Sequence, residues 1–315
     1  MLAPGKGRAV AYQALALAAL VLAGWFLISN TAANLEARRI ASGFGFLGRE
    51  AGFEIGESFF LRYGAADSYW HALAIGLTNT LAVAAIGIVA ATLLGFLIGL
   101  AHLARNALLR GIATAYVEFL RNVPLLVQLF FWYALITEGL PLPREALEPL
   151  PGFFLSNRGI FFPSFSGVPE LQGFNFAGGA ALSPEFAALL VGLATYTAAF
   201  IAEIVRAGIL AVSRGQRDAA QAIGLARWQA TRLVILPQAL RAIVPPLTSQ
   251  YLNLTKNSSL AVAIGYPDLV SIANTTINQT GQAIEGVTII MVVFLTISLS
   301  ISALMNWYNA TIAIR

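Results

Sequence analysis

Six long apolar runs, at approximately 10–30, 72–101, 112–136, 184–210, 243–264 and 286–309, constrain this chain more than any other feature. Each holds about 20 or more predominantly apolar residues, the length an α-helix needs to cross a bilayer core. Only 11% of the residues are charged, against about 25% in an ordinary soluble domain. That deficit extends along most of the length, so the sequence predicts an all-α integral membrane protein with about six transmembrane helices. One domain, 1–315, accounts for the chain: an extra N-terminal helix at 10–30, a core at 72–309, an external insert at 137–183 and a cytoplasmic loop at 211–242. The first run follows Lys6 and Arg8, as a signal peptide would. It is nevertheless long enough to span, and no clear small-residue cleavage site follows Ser29, so it is predicted to remain as the first helix.

Orientation comes from the arginines. Arg214, Arg217, Arg227, Arg232 and Arg241 cannot lie in hydrocarbon without large cost. The segment holding them must be an exposed loop, and its charge places it in the cytoplasm. With both termini inside, Lys6, Arg8, Arg105, Arg110 and Arg315 fall on the same side as this loop. Glu50, Glu54, Glu57, Glu145, Glu170 and Asp268 fall outside, along with Arg38, Arg39 and Arg62, so the rule holds as a bias. The external segment 31–71 is too polar to span. Gly43 to Leu47 and Phe59-Phe60-Leu61 read there as interfacial pieces with aromatic anchors. The insert 137–183 contains Pro141, Pro143, Pro149, Pro151, Pro163 and Pro169, which exclude a continuous helix. Its phenylalanines predict a packed lid, which either contacts an external partner or caps neighbouring helices.

Several functions are excluded early. Without cysteine there is no disulfide, thiolate catalysis or cysteine-ligated metal. No Gly-x-x-x-x-Gly-Lys-Ser/Thr phosphate loop and no His-Glu-x-x-His are present. His71 and His102 flank opposite ends of the second run, about 45 Å apart along a helix, and cannot share a metal. The net charge of +4 is modest, and no basic run interleaved with aromatics offers a nucleic-acid surface.

Polar residues within the apolar runs are costly and need a reason. Glu118 and Arg121 are spaced i, i+3, as are Glu203 and Arg206, so each pair can share a helix face and neutralise. They read either as structural ion pairs or as parts of a gate coupled to the cytoplasmic loop. Lys256, with Asn253, Asn257 and Ser258, reads as a polar lining of a translocation path or as a patch that glues helices together. Pro245-Pro246 is predicted to break or bend that helix near its start, and Pro124 to kink the third. Gln128, and Thr195-Tyr196-Thr197 in the fourth run, add polar spots that could converge on one cavity near the membrane midplane.

The loop and these polar blocks together resemble the permeases of the polar amino acid uptake branch of ABC importers: the histidine, arginine, glutamine and general L-amino acid systems. The blocks are Gly76-Leu77-Thr78-Asn79-Thr80-Leu81, Tyr116-Val117-Glu118-Phe119-Leu120-Arg121-Asn122-Val123-Pro124, Ala202-Glu203-Ile204-Val205-Arg206-Ala207-Gly208, the loop Gly215 to Pro237, and Leu254-Thr255-Lys256-Asn257-Ser258-Ser259-Leu260. The loop, with Asp218-Ala219-Ala220, Gly224 and Ile235-Leu236-Pro237, is similar to the "EAA" loop of such permeases, Asp218 standing for the glutamate of that name. The first helix and the long insert, with its Asn157-Arg158-Gly159, look like the larger general L-amino acid members.

The resemblance implies an ABC type I importer permease fold and a job. A periplasmic binding protein delivers an amino acid, two permease chains form the path, usually as a heterodimer, and two ATPase subunits drive it. ATP and magnesium then belong to the ATPase, and this chain holds no cofactor. Arg217, Asp218, Ala219, Ala220 and Gly224 would meet the ATPase through a coupling helix, and Gln128, Thr195, Tyr196, Lys256, Asn257 and Ser258 would line the path. The location implied is the bacterial inner membrane. From residue types alone, Asp218 to Arg232 is predicted to form a short helix with its acid near the N-terminus and arginines toward its end, as the helix dipole favours. An ion-gradient-driven transporter, a non-transporting scaffold and a membrane enzyme are the other classes weighed. The polar mid-membrane residues count against a scaffold, and the lack of a visible nucleophile–base pair counts against an enzyme.

Overall fold

The structure is a computed structural model that describes residues 6–37, 42–58, 60–165 and 167–313. Arg38, Arg39, Phe59 and Arg315, invoked above, lie outside that set. In chain order the helices are α1 (Lys6–Ala37), α2 (Tyr69–His102), α3 (Ala107–Asn122), α4 (Leu125–Thr137), α5 (Pro184–Ala211), α6 (Arg214–Ala222), α7 (Arg227–Ala230), α8 (Leu236–Asn257), α9 (Leu269–Thr280) and α10 (Ala283–Ala313). Between α4 and α5 lie six short strands, β1 (Leu147–Leu150), β2 (Phe153–Ser156), β3 (Gly159–Phe162), β4 (Glu170–Gln172), β5 (Asn175–Ala177) and β6 (Ala180–Leu182).

Four helices, α1, α2, α5 and α10, are each long and apolar enough to cross a membrane. Counting each of two bent pairs as one span raises the number of candidate spans to as many as six: α3 with α4, meeting at 106°, and the α8 region with α9, meeting at 52°. The kink expected at Pro124 is therefore a corner between separate helices. Two residues leave helical geometry there. Pro124 lacks a donor, and it also pushes the residue before it out of the α region. Val123 accordingly sits at φ −93°, ψ 127° and Pro124 at φ −56°, ψ 135°.

Of the break or bend expected at Pro245 and Pro246, the break does not occur, and α8 runs through both prolines. Their fixed φ is compatible with a helix, and what is lost is the bond each would donate back to Arg241 or Ala242. Those residues and both prolines lie on the exposed face, while Ile243, Val244 and Leu247 stay buried on the other. The irregularity comes earlier, in a π-helical turn at Thr231–Ile235, and later, where Ser258–Ile264 tightens into a 3₁₀ helix.

The core forms around α5, which packs against α2, α3, α4 and α8. Lipid supplies no hydrophobic drive between helices, so close contact at small residues has to do the work. A Cβ at Gly95 of α2 would fall 2.6 Å from Ile201 Cβ, and one at Gly99 would fall 2.8 Å from the Ala202 carbonyl oxygen. A second cluster joins the segment that precedes α2 to α2 and α9 through Phe46, Tyr69, Leu73, Ile75, Leu269 and Ile272. Phe46 is fully buried there, so the Gly43 to Leu47 piece is an anchored 3₁₀ turn, Phe44–Gly48, and only Phe44 is exposed as an interfacial residue would be.

The insert folds as two small antiparallel sheets, β1-β2-β3-β6 and β4-β5. The Phe176 ring from β5 stacks on Phe154 of β2 at 4.4 Å and lies 5.0 Å from Phe161 of β3, which joins the sheets. The membrane part is helical as the sequence indicates, and the lid adds strands to it.

Replacing Gly95 with valine should force α2 and α5 apart. Overpacking of this kind costs about 1–3 kcal/mol, and thermal unfolding of the purified protein should show a lowered midpoint. A Gly111→Val control, where nothing lies within 4 Å of the added Cβ, should not be lowered.

Candidate functional site

The loop 211–242 is built differently from the helix its residue types suggest. The helix α6 begins at Arg214, so Arg214 and Arg217 occupy its N-terminal half and Asp218 its middle. It closes before Arg227. Gly224 adopts φ +80°, its N–H donates to the Gln221 carbonyl at 2.9 Å, and the Leu225 N–H donates back to Ala220 at 3.1 Å. A left-handed glycine ending a helix relieves orphan carbonyls at little steric cost. The predicted dipole match of acid first and arginines last is therefore absent. Arg217 serves another helix end instead: its Nη2 donates to the Ile209 carbonyl at 2.8 Å, in the last turn of α5. Cationic side chains satisfy such terminal carbonyls. Asp218, Ala219 and Gly224 are exposed, whereas Ala220 is buried against the protein. Ile223 and Trp228 flank the glycine turn with 76% and 62% of their surface exposed. Neither was singled out from the sequence, although large apolar residues in an arginine-rich loop are a readable signal.

At membrane depth the two acid–arginine pairs diverge. Glu203 accepts from Arg206 Nε at 2.9 Å and from Nη2 at 2.5 Å, the bidentate pair expected from the spacing. Glu118 and Arg121 do not pair. The Arg121 guanidinium lies over the Phe200 ring of α5, 5.1 Å from its centroid, and Glu118 is exposed. Spacing brings two side chains to one face, but a neighbouring helix can offer a better partner. Phe200 also contacts the Tyr196 ring at 5.0 Å, and the Tyr116 hydroxyl donates to the Thr195 carbonyl at 2.8 Å. Arg121, Thr195 and Tyr196 thus form one group where α3 meets α5.

Gln128 stands apart, buried at the α3–α4 corner. Its Nε2 donates to the carbonyls of Leu120 at 2.9 Å and Val123 at 3.0 Å, groups that the corner would otherwise orphan. It also borders a mostly apolar pocket of about 250 Å³ with Phe119, Val127, Phe131 and Trp132. Lys256 is exposed on α8, on one face with Ser249 and Asn253. Asn257 is half-buried, and Ser258 is buried with its hydroxyl donating to Thr255 at 2.8 Å. Among the described residues no hydrogen bond or ion pair joins this α8 group to the Arg121–Tyr196 group.

Where the segment before α2 meets the starts of α5 and α9, a cavity of about 450 Å³ is lined by Glu54, Glu57, Ser183, Glu185, Ser271 and Thr275, among others. Buried Asn79 of α2 ties two of its lining residues together, donating to the carbonyls of Glu57 at 2.9 Å and Pro267 at 3.0 Å. The Ser183 hydroxyl donates to the Glu57 carboxylate. Burial pushes the Glu57 carboxyl above its ordinary pKa against that hydrogen bond, and the charge of Glu185 pushes it the same way as burial. An asparagine inside an apolar run was the sequence signal for this joint. Among the described residues no group of three His, Asp or Glu side chains is placed to hold a metal ion.

Residues 87–314 match the family model described as "Binding-protein-dependent transport system inner membrane component". The chain is 46% identical to the putative amino-acid ABC transporter permease protein YhdX of Escherichia coli K12, over 98% of this chain and 94% of that one. It is 42% identical to the general L-amino acid transport system permease protein AapQ of Rhizobium johnstonii, over 98% and 93%. Among solved structures, an amino acid ABC transporter crystallised with histidines aligns at a TM-score of 0.57 with 28% identity, covering 77% of this chain and 95% of that chain.

Two measurements probe the geometry. Gln128→Leu should leave two corner carbonyls without donors and cost about 1–3 kcal/mol, read as a drop in unfolding temperature that Val127→Leu does not reproduce. Glu57, with its raised folded-state pKa, adds stability at pH below the ordinary carboxylate value and loses it as pH rises through the raised one. Unfolding curves across pH should show that loss in the wild type and its absence in Glu57→Gln.

Proposed function

Because the chain belongs to the family of binding-protein-dependent transport system inner membrane components, we propose that it is the permease subunit of an ATP-driven amino acid importer, carrying half of the translocation path and coupling it to a separate ATPase. The relatives named as amino acid permeases over nearly the whole chain support the substrate class. The observation that carries the coupling role is the braced, exposed turn. Arg217 fastens α6 to the end of α5, while Asp218, Ala219, Ile223, Gly224 and Trp228 stand free on the surface. A push on this turn is passed through α5 to every helix packed around it.

On this reading an external binding protein delivers the amino acid, a second permease chain of similar build completes the path, and two ATPase subunits bind ATP and magnesium. Thr195, Tyr196, Lys256, Asn257 and Ser258 line the path, with Gln128 at the corner behind it. Lys256 supports this assignment, since an exposed ammonium on a helix of a membrane protein requires water, substrate or a partner chain in front of it. The protein then resides in a bacterial inner membrane with both termini in the cytoplasm.

Co-expression tests the reading: the chain should co-purify with an ATP-hydrolysing subunit and take up amino acid in vesicles only when that subunit, ATP and the binding protein are present. Uptake driven by an ion gradient alone would overturn it. Gly224→Trp places a side chain at φ +80°, where a non-glycine residue costs about 1–2 kcal/mol, and it blocks the surface turn. Hydrolysis should persist while uptake is lost, and uptake at the wild-type rate would show that the turn does not couple the two.

A further inference from the structure

The cavity at the starts of α5 and α9 holds more acid than the protein around it answers. Glu54 and Glu57 line it from the segment before α2 and Glu185 from the first turn of α5, with Phe53, Pro267 and Ser271 also on its wall. Among the described lining residues none is Lys, Arg or His, and no ion pair engages any of the three carboxylates. Glu57 accepts from the Ser183 hydroxyl and Glu185 from the Tyr133 hydroxyl at 3.0 Å, both neutral donors. Burial, and with it the charge of Glu185, raises the Glu57 carboxyl above its ordinary pKa, so the two acids oppose each other's ionisation. Two further acceptors are stranded at the same wall. Asn79 is fully buried: its Nδ2 ties Glu57 to Pro267, and its Oδ1 finds no donor among the described residues. Asp268 is 1% exposed: its Oδ1 accepts the Ser271 N–H at 2.8 Å, and its Oδ2 likewise finds no donor. A buried acceptor left without a donor is costly, and all of these groups lack the same thing, a charged N–H.

We propose that this cavity is a socket for a lysine or arginine side chain of the binding protein that delivers the amino acid. The guest has to be cationic and rich in N–H donors. A bare metal ion does not fit, since no three acidic side chains among the described residues are placed to hold one. A free amino acid fits poorly, because its own carboxylate would enter beside Glu54, Glu57 and Glu185 with no basic group to receive it. A basic side chain carried by a protein brings no such charge. Its stem or guanidinium plane can lie on the Phe53 ring while its head reaches the carboxylates. The position agrees. The helix α5 begins at this cavity, and its 28 residues rise about 42 Å to the end that Arg217 braces. The cavity is therefore a bilayer's thickness from the Gly224 turn, on the face opposite the ATPase in the importer reading, on which this proposal rests.

The test measures how tightly the purified binding protein associates with the assembled transporter in lipid nanodiscs. Glu54→Gln and Glu185→Gln, combined in one variant, should weaken that association about tenfold. Glu170→Gln, at an exposed acid of β4 outside the cavity, should leave it unchanged. Glu54→Lys should weaken it further, and one Lys→Glu or Arg→Glu substitution on the binding protein should restore it, a rescue that a misfolded variant could not show. Wild-type affinity in the double variant, equal weakening by Glu170→Gln, or no rescue by any reversal would overturn the proposal. So would saturable binding of spermidine to the transporter alone that the double variant loses, since the guest would then be a free polyamine. If the wild type associates with no binding protein, the importer reading falls and the socket with it. If the wild type associates and takes up amino acid with ATP while the variants behave like it, the socket alone is rejected.

Discussion

Water gives a soluble protein its reason to pack, but helices immersed in hydrocarbon gain nothing by hiding from a solvent as apolar as themselves. The contact of α2 with α5 must therefore rest on closeness, and closeness rests on glycine. At Gly95 and Gly99 the α2 backbone approaches α5 so nearly that a methyl group would collide with Ile201 or with a peptide oxygen. Gly208 does the same for α5 against Ile243 of α8. With α5 gripped on both flanks, the corner of α3 and α4, the braced turn at Gly224 and the joint at Asn79 all refer to one rigid post.

The long apolar spans were legible because apolar length is a direct imprint of bilayer thickness. Proline was less legible. Pro124 acts through Val123 as well as through its own missing donor, turning an anticipated kink into a 106° corner. Pro245 and Pro246 do almost nothing visible, because α8 is held by burial on its other face. Local chemistry sets what a proline permits, and neighbours decide what it does. The helix α9 passed unnoticed because it is short and rich in Thr and Asn, and the lid's strands because each has only three or four residues.

The site was legible as a set of residue types more than as an arrangement. Polarity inside an apolar run says that a side chain has a partner, without saying which. Glu203 found its arginine, Arg121 turned to a ring, and Gln128 turned to two peptide carbonyls. The loop motif drew attention to Asp218 and Gly224, yet it did not give the direction of the helix dipole, since Arg217 answers to the end of α5 and not to its own helix. Exposed Ile223 and Trp228 could have been found by asking why large apolar side chains sit in a charged loop.

The brace from Arg217 ends on a main-chain oxygen. Every amino acid carries that oxygen, so substitution at Ile209 cannot remove the acceptor, and all of the identity the brace requires is stored at a single codon. The loop's outer face can drift in sequence while its attachment to α5 stays constant. A joint anchored in this way tolerates neighbours that evolve at different speeds on its two sides.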